Sequence, residues 1–217
     1  GLAFMNSMLV KYSQYAKYEN VRVTIPRTVV VATDYFDAFI RNNGLEYVLT
    51  TEMTDEEILS EFVSSTLPYK LREALKAYVR TVSGPLAVRS SSKLEDSHYQ
   101  PFAGIYSTYM IPYTDNEDQM LRLLLRAVKS VYASVYFAAS RAYIQSSQNL
   151  ISEEKMAVII QEVCGTEQDG LFFPTCSGVA RSINYYPIGD ERPEDGVCNV
   201  AMGLGKLVVD GGRTLRF

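Results

Sequence analysis

The chain has 217 residues, 47% of them hydrophobic and 21% charged, the balance of a soluble globular protein able to bury a core without metals or disulfides. A net charge of −4 and a pI of about 5.2 exclude a general basic field for nucleic acid, while a local basic pocket for a small anion stays open. No signal peptide is legible and no apolar run approaches the roughly 18 residues of a membrane span, so no membrane partner is expected.

Along the chain, residues 4–18 carry Phe4, Met8, Leu9 and Tyr12 at helical spacing. Val21 to Val31 is β-branched and interrupted by Pro26, which predicts an entry loop and a short strand. Thr33 is placed to cap a helix running to Asn43, with Gly44 in the left-handed position that ends it. Thr54 and Glu57 form a capping box ahead of Ile58, Leu59, Phe62 and Val63. Pro68 opens a further helix with Leu71, Leu75, Tyr78 and Val79 inward.

At Gly84-Pro85 the period changes. Leu86 to Val88 reads as a short buried strand, residues 89–104 as a polar loop, and Ile105 to Ile111 as a strand. Residues 115–146 form the longest helical region, as one helix or two, with Thr114 and Glu117 as a second capping box. The last third is strand-like: Met156 to Val163, Gly178 to Ile183, Val197 to Met202 and, after a Gly203-Leu204-Gly205 turn, Leu207 to Val209. Helices first and strands later make an α+β chain.

Three places offer chemistry. Arg89 leaves a buried strand and is followed by Ser90, Ser91 and Ser92, then by Glu95, Asp96 and Gly104. The guanidinium fork matches phosphate oxygens, and hydroxyls and backbone N–H groups add donors. A solvated polar turn is the plainer reading of that composition. Gln161, Glu162 and Val163 end an apolar strand that can present its backbone to a planar ring; a core strand with a polar end is the alternative. Gly203, Gly205 and Lys206 form a glycine turn that could approach a phosphate, although the spacing is that of neither a P-loop nor a dinucleotide fingerprint. His98 is the only histidine, so His-rich metal sites are excluded, and no nucleophile elbow accompanies it. Cys164, Cys176 and Cys198 lack zinc-site spacing and read as reduced thiols of a cytoplasmic protein.

In order, these pieces resemble the nucleotide-binding domain of the phosphoenolpyruvate synthase and pyruvate phosphate dikinase family. Leu86-Ala87-Val88-Arg89-Ser90-Ser91, Glu95-Asp96 and Phe102-Ala103-Gly104 are similar to the family's VRSS, ED and FAG signature. Val23 to Thr33, Ile159 to Val163, Ser177 to Ala180 and Gly203 to Gly211 resemble further family segments, so the likeness covers nearly the whole chain. It implies an ATP-grasp-like fold of two subdomains, taken as residues 1–112 and 113–217, with ATP and Mg²⁺ between them. It implies a parent that passes phosphate from ATP through a phosphohistidine on another domain to pyruvate, giving phosphoenolpyruvate.

By the same resemblance, Arg89 contacts the ATP phosphates as the catalytic residue, with Ser90 and Ser91 supporting it. Gln161, Glu162 and Val163 face adenine, and Gly104, Gly203 and Gly205 allow close backbone approach. The chain starts at Gly1 rather than Met and stops at Phe217 after an apparent strand, which reads as truncation at both ends. The family's ATP-contacting lysine and metal-binding carboxylates are expected outside it, so no metal ligand is assigned here and the isolated chain is expected to be inactive. Lys206 and Arg181 depart from the family pattern. The alternatives are a regulatory module that binds nucleotide without turnover, or a dikinase with another acceptor such as a glucan or an antibiotic. A homodimer of the parent is a further expectation.

Overall fold

A computed structural model of the chain describes residues 2–12, 20–92, 106–146, 154–209 and 212–217. It divides into two compact units, Gly1–Val163 and Cys164–Phe217. That boundary falls well after the 112/113 division read from the sequence, because the long helices of residues 117–146 pack within the first unit.

The first unit opens with α1 (Leu2–Lys11), whose expected continuation to residue 18 lies outside the described residues. Strand β1 (Thr28–Val31) leads into α2 (Thr33–Asn43). Thr33 is the first helical residue rather than the cap; extended Ala32 holds the cap position with no side-chain bond, since β1 ends one residue before it. Gly44 has φ of +62° and its N–H closes on Arg41 and Ile40 carbonyls, the left-handed ending that glycine adopts without strain. A 3₁₀ turn (Leu45–Leu49) follows. Helix α3 (Asp55–Ser64) starts at the expected capping box: Thr54 accepts from the Glu57 N–H at 3.2 Å, and the Glu57 carboxylate accepts from the Thr54 N–H at 2.8 Å. Helix α4 (Tyr69–Val79) starts after Pro68 and buries Leu71, Leu75 and Val79.

The segment 115–146 forms two helices, α5 (Glu117–Ser134) and α6 (Ala138–Ser146). Asn116 caps α5, accepting from the Gln119 N–H at 2.9 Å. Thr114 instead accepts from the Asn116 N–H, so the second capping box does not form. Chain entry is two residues later than the Thr-x-x-Glu pattern requires.

Strands β2 (Leu86–Ser92), β3 (Tyr109–Ile111) and β4 (Met156–Glu162) complete an antiparallel sheet of order β1-β4-β2-β3. The register runs from Leu86 opposite Glu162 to Ser92 opposite Met156. Strand β2 is therefore longer than Leu86–Val88, and the three serines are strand residues. Pairing their backbone to central β4 outweighs the low strand preference of serine. One sheet face carries Leu86, Val88, Val158 and Ile160, all fully buried against the helices. There Phe36, Phe39, Phe62, Tyr132 and Tyr136 pack with ring centroids 5.0 to 6.4 Å apart, contacts worth about 0.5–1.5 kcal/mol each beyond area burial.

The second unit begins with the hairpin β5 (Thr166–Gln168) and β6 (Leu171–Phe173). Its two-residue turn, Asp169-Gly170, has both φ angles positive, at 51° and 76°, matching the twist of a tight hairpin. Strands β7 (Cys176–Arg181), β8 (Val197–Met202) and β9 (Leu215–Arg216) form a second antiparallel sheet. A 3₁₀ turn (Pro193–Asp195) precedes β8. Residues 207–209, expected as strand, lie in a helical turn, α7 (Lys206–Val209), with the Val208 N–H donating to Gly205 O at 3.1 Å. An apolar triplet after a glycine turn is too short for its period to decide between the two.

Candidate functional site

Strand alternation sorts the residues around Arg89. Cross-strand partners share a face, so Arg89, opposite Ile159, lies on the sheet face away from the helices. Thr28, Val30, Ala87, Met110, Ile159 and Gln161 lie on that face by the same register. It is open: Val30 is 62% exposed, Met110 55%, and Arg89 is exposed. The Arg89 side chain makes no hydrogen bond or ion pair among the described residues. An exposed, uncompensated guanidinium beside apolar Ile159 and Val30 leaves its donor fork directed at whatever occupies that face.

Ser91 shares the outer face with Arg89, whereas Ser90, opposite Val158, takes the helix-facing side. The two serines expected to act together are thus separated by the two-residue period of the strand. Gly104, Glu95, Asp96 and His98 lie outside the described residues.

The expectation that Gln161, Glu162 and Val163 face adenine is refined in a similar way. Gln161 is on the outer face, two positions along β4 from Ile159. Its Nε2 donates to Thr28 Oγ1 at 2.8 Å, which leaves Oε1 as an acceptor. Glu162 lies on the helix-facing side, opposite Leu86, and its carboxylate pairs with Arg27 at 3.5 Å. Arg27 also donates to the Thr81 carbonyl. Glu162 Oε1 and the Tyr78 hydroxyl are both buried without a hydrogen-bond partner among the described residues. Burial first, then the Glu162 charge, pushes the Tyr78 phenol up to about 12, so it stays neutral. The Glu162 N–H donates to Arg27 O at 3.0 Å and the Val163 N–H to Pro85 O at 2.9 Å. Both amides are engaged within the protein and are not donors to a ring.

Gly203 and Gly205 belong to the second unit. Gly203 has φ of +72° with open space where a Cβ would stand, so the turn needs its backbone freedom. Gly205 is small for another reason: a Cβ there would meet Ser177 Cβ at 3.2 Å. Ser177 Oγ donates to Gly203 O at 2.7 Å, tying the turn to β7. Arg141 donates to the Met53 carbonyl at 3.2 Å. Thr28, Val30 and Met110 share the Arg89 face and are not singled out by the sequence; three successive valines in Thr28-Val29-Val30-Val31 give no alternation that would separate the two faces.

Among the described residues no three His, Cys, Asp or Glu side chains converge on a point that could hold a metal. No described helix is long and apolar enough to cross a membrane.

Comparison with known proteins agrees with the resemblance read from the motifs. The chain is similar to the uncharacterized phosphotransferase YvkC of Bacillus subtilis, 28% identical over 197 residues, covering 88% of this chain and 20% of that protein. It is 27% identical to the phosphoenolpyruvate synthase of Aeropyrum pernix over 211 residues, 87% of this chain and 24% of the relative. It is 34% identical to the prodigiosin synthesizing transferase PigC of Serratia marcescens over 154 residues, 71% of this chain and 15% of PigC. The chain therefore spans about a quarter or less of the length of these curated relatives. The family profile for the pyruvate phosphate dikinase AMP/ATP-binding domain matches residues 6–215, and the chain belongs to that family.

Proposed function

We propose that this chain is the ATP-binding portion of a phosphoenolpyruvate synthase-like dikinase with an ATP-grasp-like architecture. The observation that carries the reading is the uncompensated guanidinium of Arg89 on the open face of the first sheet. Arg89 holds phosphate oxygens, and Val30 and Ile159 offer an apolar bed for a purine. The Gln161 Oε1 is the acceptor for its amino group, fixed in place by the Thr28 hydroxyl. Ser91 adds a hydroxyl on the same face. Ser90 and Glu162, on the opposite face, position the strand ends, and Val163 contributes through its carbonyl and side chain. Gly203 and Gly205 shape the turn of the second unit, and Gly104 is retained as a backbone-approach position.

ATP supplies the phosphoryl group, and Mg²⁺, bound by residues outside this assignment, neutralises the charge that develops on transfer. The acceptor is pyruvate, reached through a phosphohistidine on another part of a cytoplasmic parent protein. The name of the Aeropyrum relative, phosphoenolpyruvate synthase, supports this choice. The similarity to PigC, a prodigiosin synthesizing transferase, supports a second reading in which the acceptor is different and the nucleotide chemistry is retained.

The test is nucleotide turnover by the full-length parent. Pyruvate- and Mg²⁺-dependent conversion of ATP to AMP is expected, and Arg89→Ala should abolish it. An active parent whose rate survives Arg89→Ala would remove Arg89 from the site. ATP consumption that ignores pyruvate but responds to another acceptor would favour the second reading.

A further inference from the structure

The second unit carries a cavity of its own, lined by both apolar and polar side chains. In the β7-β8-β9 register Arg181 is opposite Val197, Val179 opposite Asn199, and Asn199 opposite Arg216. Arg181, Asn199 and Arg216 therefore project from one face of this sheet. With Asn184, Tyr185 and Tyr186 they line a cavity of about 410 Å³, large enough for a small organic molecule.

The donors in it are arranged rather than merely present. Arg216 is held in place: its Nη2 donates to Glu191 Oε2 at 2.7 Å, to Tyr186 O at 2.9 Å and to Asn184 Oδ1 at 3.2 Å, and its Nε to Glu191 Oε1 at 3.4 Å. Its Nη1 has no such bond among the described residues. Thr214 Oγ1 donates to Asn199 Oδ1 at 3.5 Å, which leaves the Asn199 Nδ2 as a donor. Arg181 is exposed and has no hydrogen bond or ion pair among the described residues. The Glu191 charge is spent on Arg216, so the cavity keeps one unanswered positive charge beside a fixed guanidinium and an amide donor. Such a set is complementary to an oxyanion, whose several acceptor lone pairs can use donors from different directions.

We propose that this cavity binds a small molecule through an oxyanion, a phosphate monoester or a carboxylate, held by Arg181, Arg216 and Asn199. The inference rests on the second unit alone and is independent of Arg89 and of the nucleotide reading.

The experiment is a titration of the full chain with phenyl phosphate and, separately, benzoate at constant ionic strength, followed by amide and arginine Nε resonances. Saturable shifts at Arg181, Asn199 and Arg216 are expected with at least one probe, and the tighter of the two identifies the oxyanion class. Arg181→Ala should weaken that affinity about tenfold or more, and Arg181→Lys should restore part of it, because the charge returns without the fork. Arg89→Ala should leave the affinity unchanged. Absence of saturable shifts at the three residues with both probes would overturn the site. So would an affinity indifferent to Arg181→Ala, or one lost in Arg89→Ala.

Discussion

At the scale of single residues, exposure separates candidate binding groups from structural ones. Arg89 is exposed and unpaired among the described residues, so Arg89→Ala should leave the thermal midpoint unchanged. It should weaken ATP binding about 10- to 100-fold, the loss expected for one charge-assisted contact of about 1.5–3 kcal/mol. Calorimetric titration beside a melting curve checks both halves. Tyr132 behaves in the opposite way. Its ring is wholly buried and its hydroxyl has no hydrogen-bond partner among the described residues, and burial raises its phenol well above the usual value. Tyr132→Phe removes an unsatisfied polar group while keeping the ring, so unfolding in urea should show unchanged or slightly increased stability, by up to about 1 kcal/mol. A loss above that range would mean that the hydroxyl has a partner in solution.

Glu191 gives a residue-scale pH dependence. Hydrogen bonding from Arg216 first, then from the Ile188 N–H and Asn184, lowers its carboxyl from 4.5 to about 2. A carboxyl depressed by folding stabilises the folded form above its unfolded pKa, and that contribution fades as pH falls from about 4.5 to about 2. Glu191→Gln should therefore lower stability at neutral pH and flatten the stability profile of the second unit between those values. Acid titrations of the wild type and the variant, followed by a probe in β8 or β9, would display the difference; identical profiles would contradict it. The site is open to solvent, so salt should reduce the effect.

At the scale of elements, caps and strand faces do most of the positioning. The Thr54–Glu57 box satisfies two N–H groups at the start of α3, and Thr54→Ala should cost about 1 kcal/mol in chemical denaturation. The helices were legible because their apolar residues recur with a long, regular period; Leu71, Leu75 and Val79 point inward as their spacing requires. The cap of α5 was less legible, since Thr114 and Asn116 are both good caps and only the path of the chain into the helix selects Asn116. The serines after Arg89 were read as a loop because nothing local marks them as strand. Their pairing with β4, some 66 residues away in sequence at Ser91 and Ala157, is what makes them one.

At the scale of the whole molecule, the two units differ in what they bury. The first holds nearly all of the buried apolar side chains, while in the second Ala201 alone is buried among the described hydrophobic residues. Protection against hydrogen exchange should follow that division. The amides of β2, β4 and α5 should exchange at or near the global unfolding limit, and those of β7 and β8 far faster. Equal protection in both units would contradict the inference.

The sequence by itself determined the family, the α+β composition, most helix boundaries and the order of the motifs. Those depend on local period, capping chemistry and residue identity, all of which are written along the chain. Tertiary structure alone decided which side of the sheet each candidate residue occupies. It placed Arg89, Ser91 and Gln161 on the open face, and turned Ser90 and Glu162 toward the helices. It also engaged the amides of Glu162 and Val163 and moved the unit boundary to Val163. The physical reason is that a strand's side chains alternate by a fixed period of two, whereas its length, register and partners are set by residues far away in the chain.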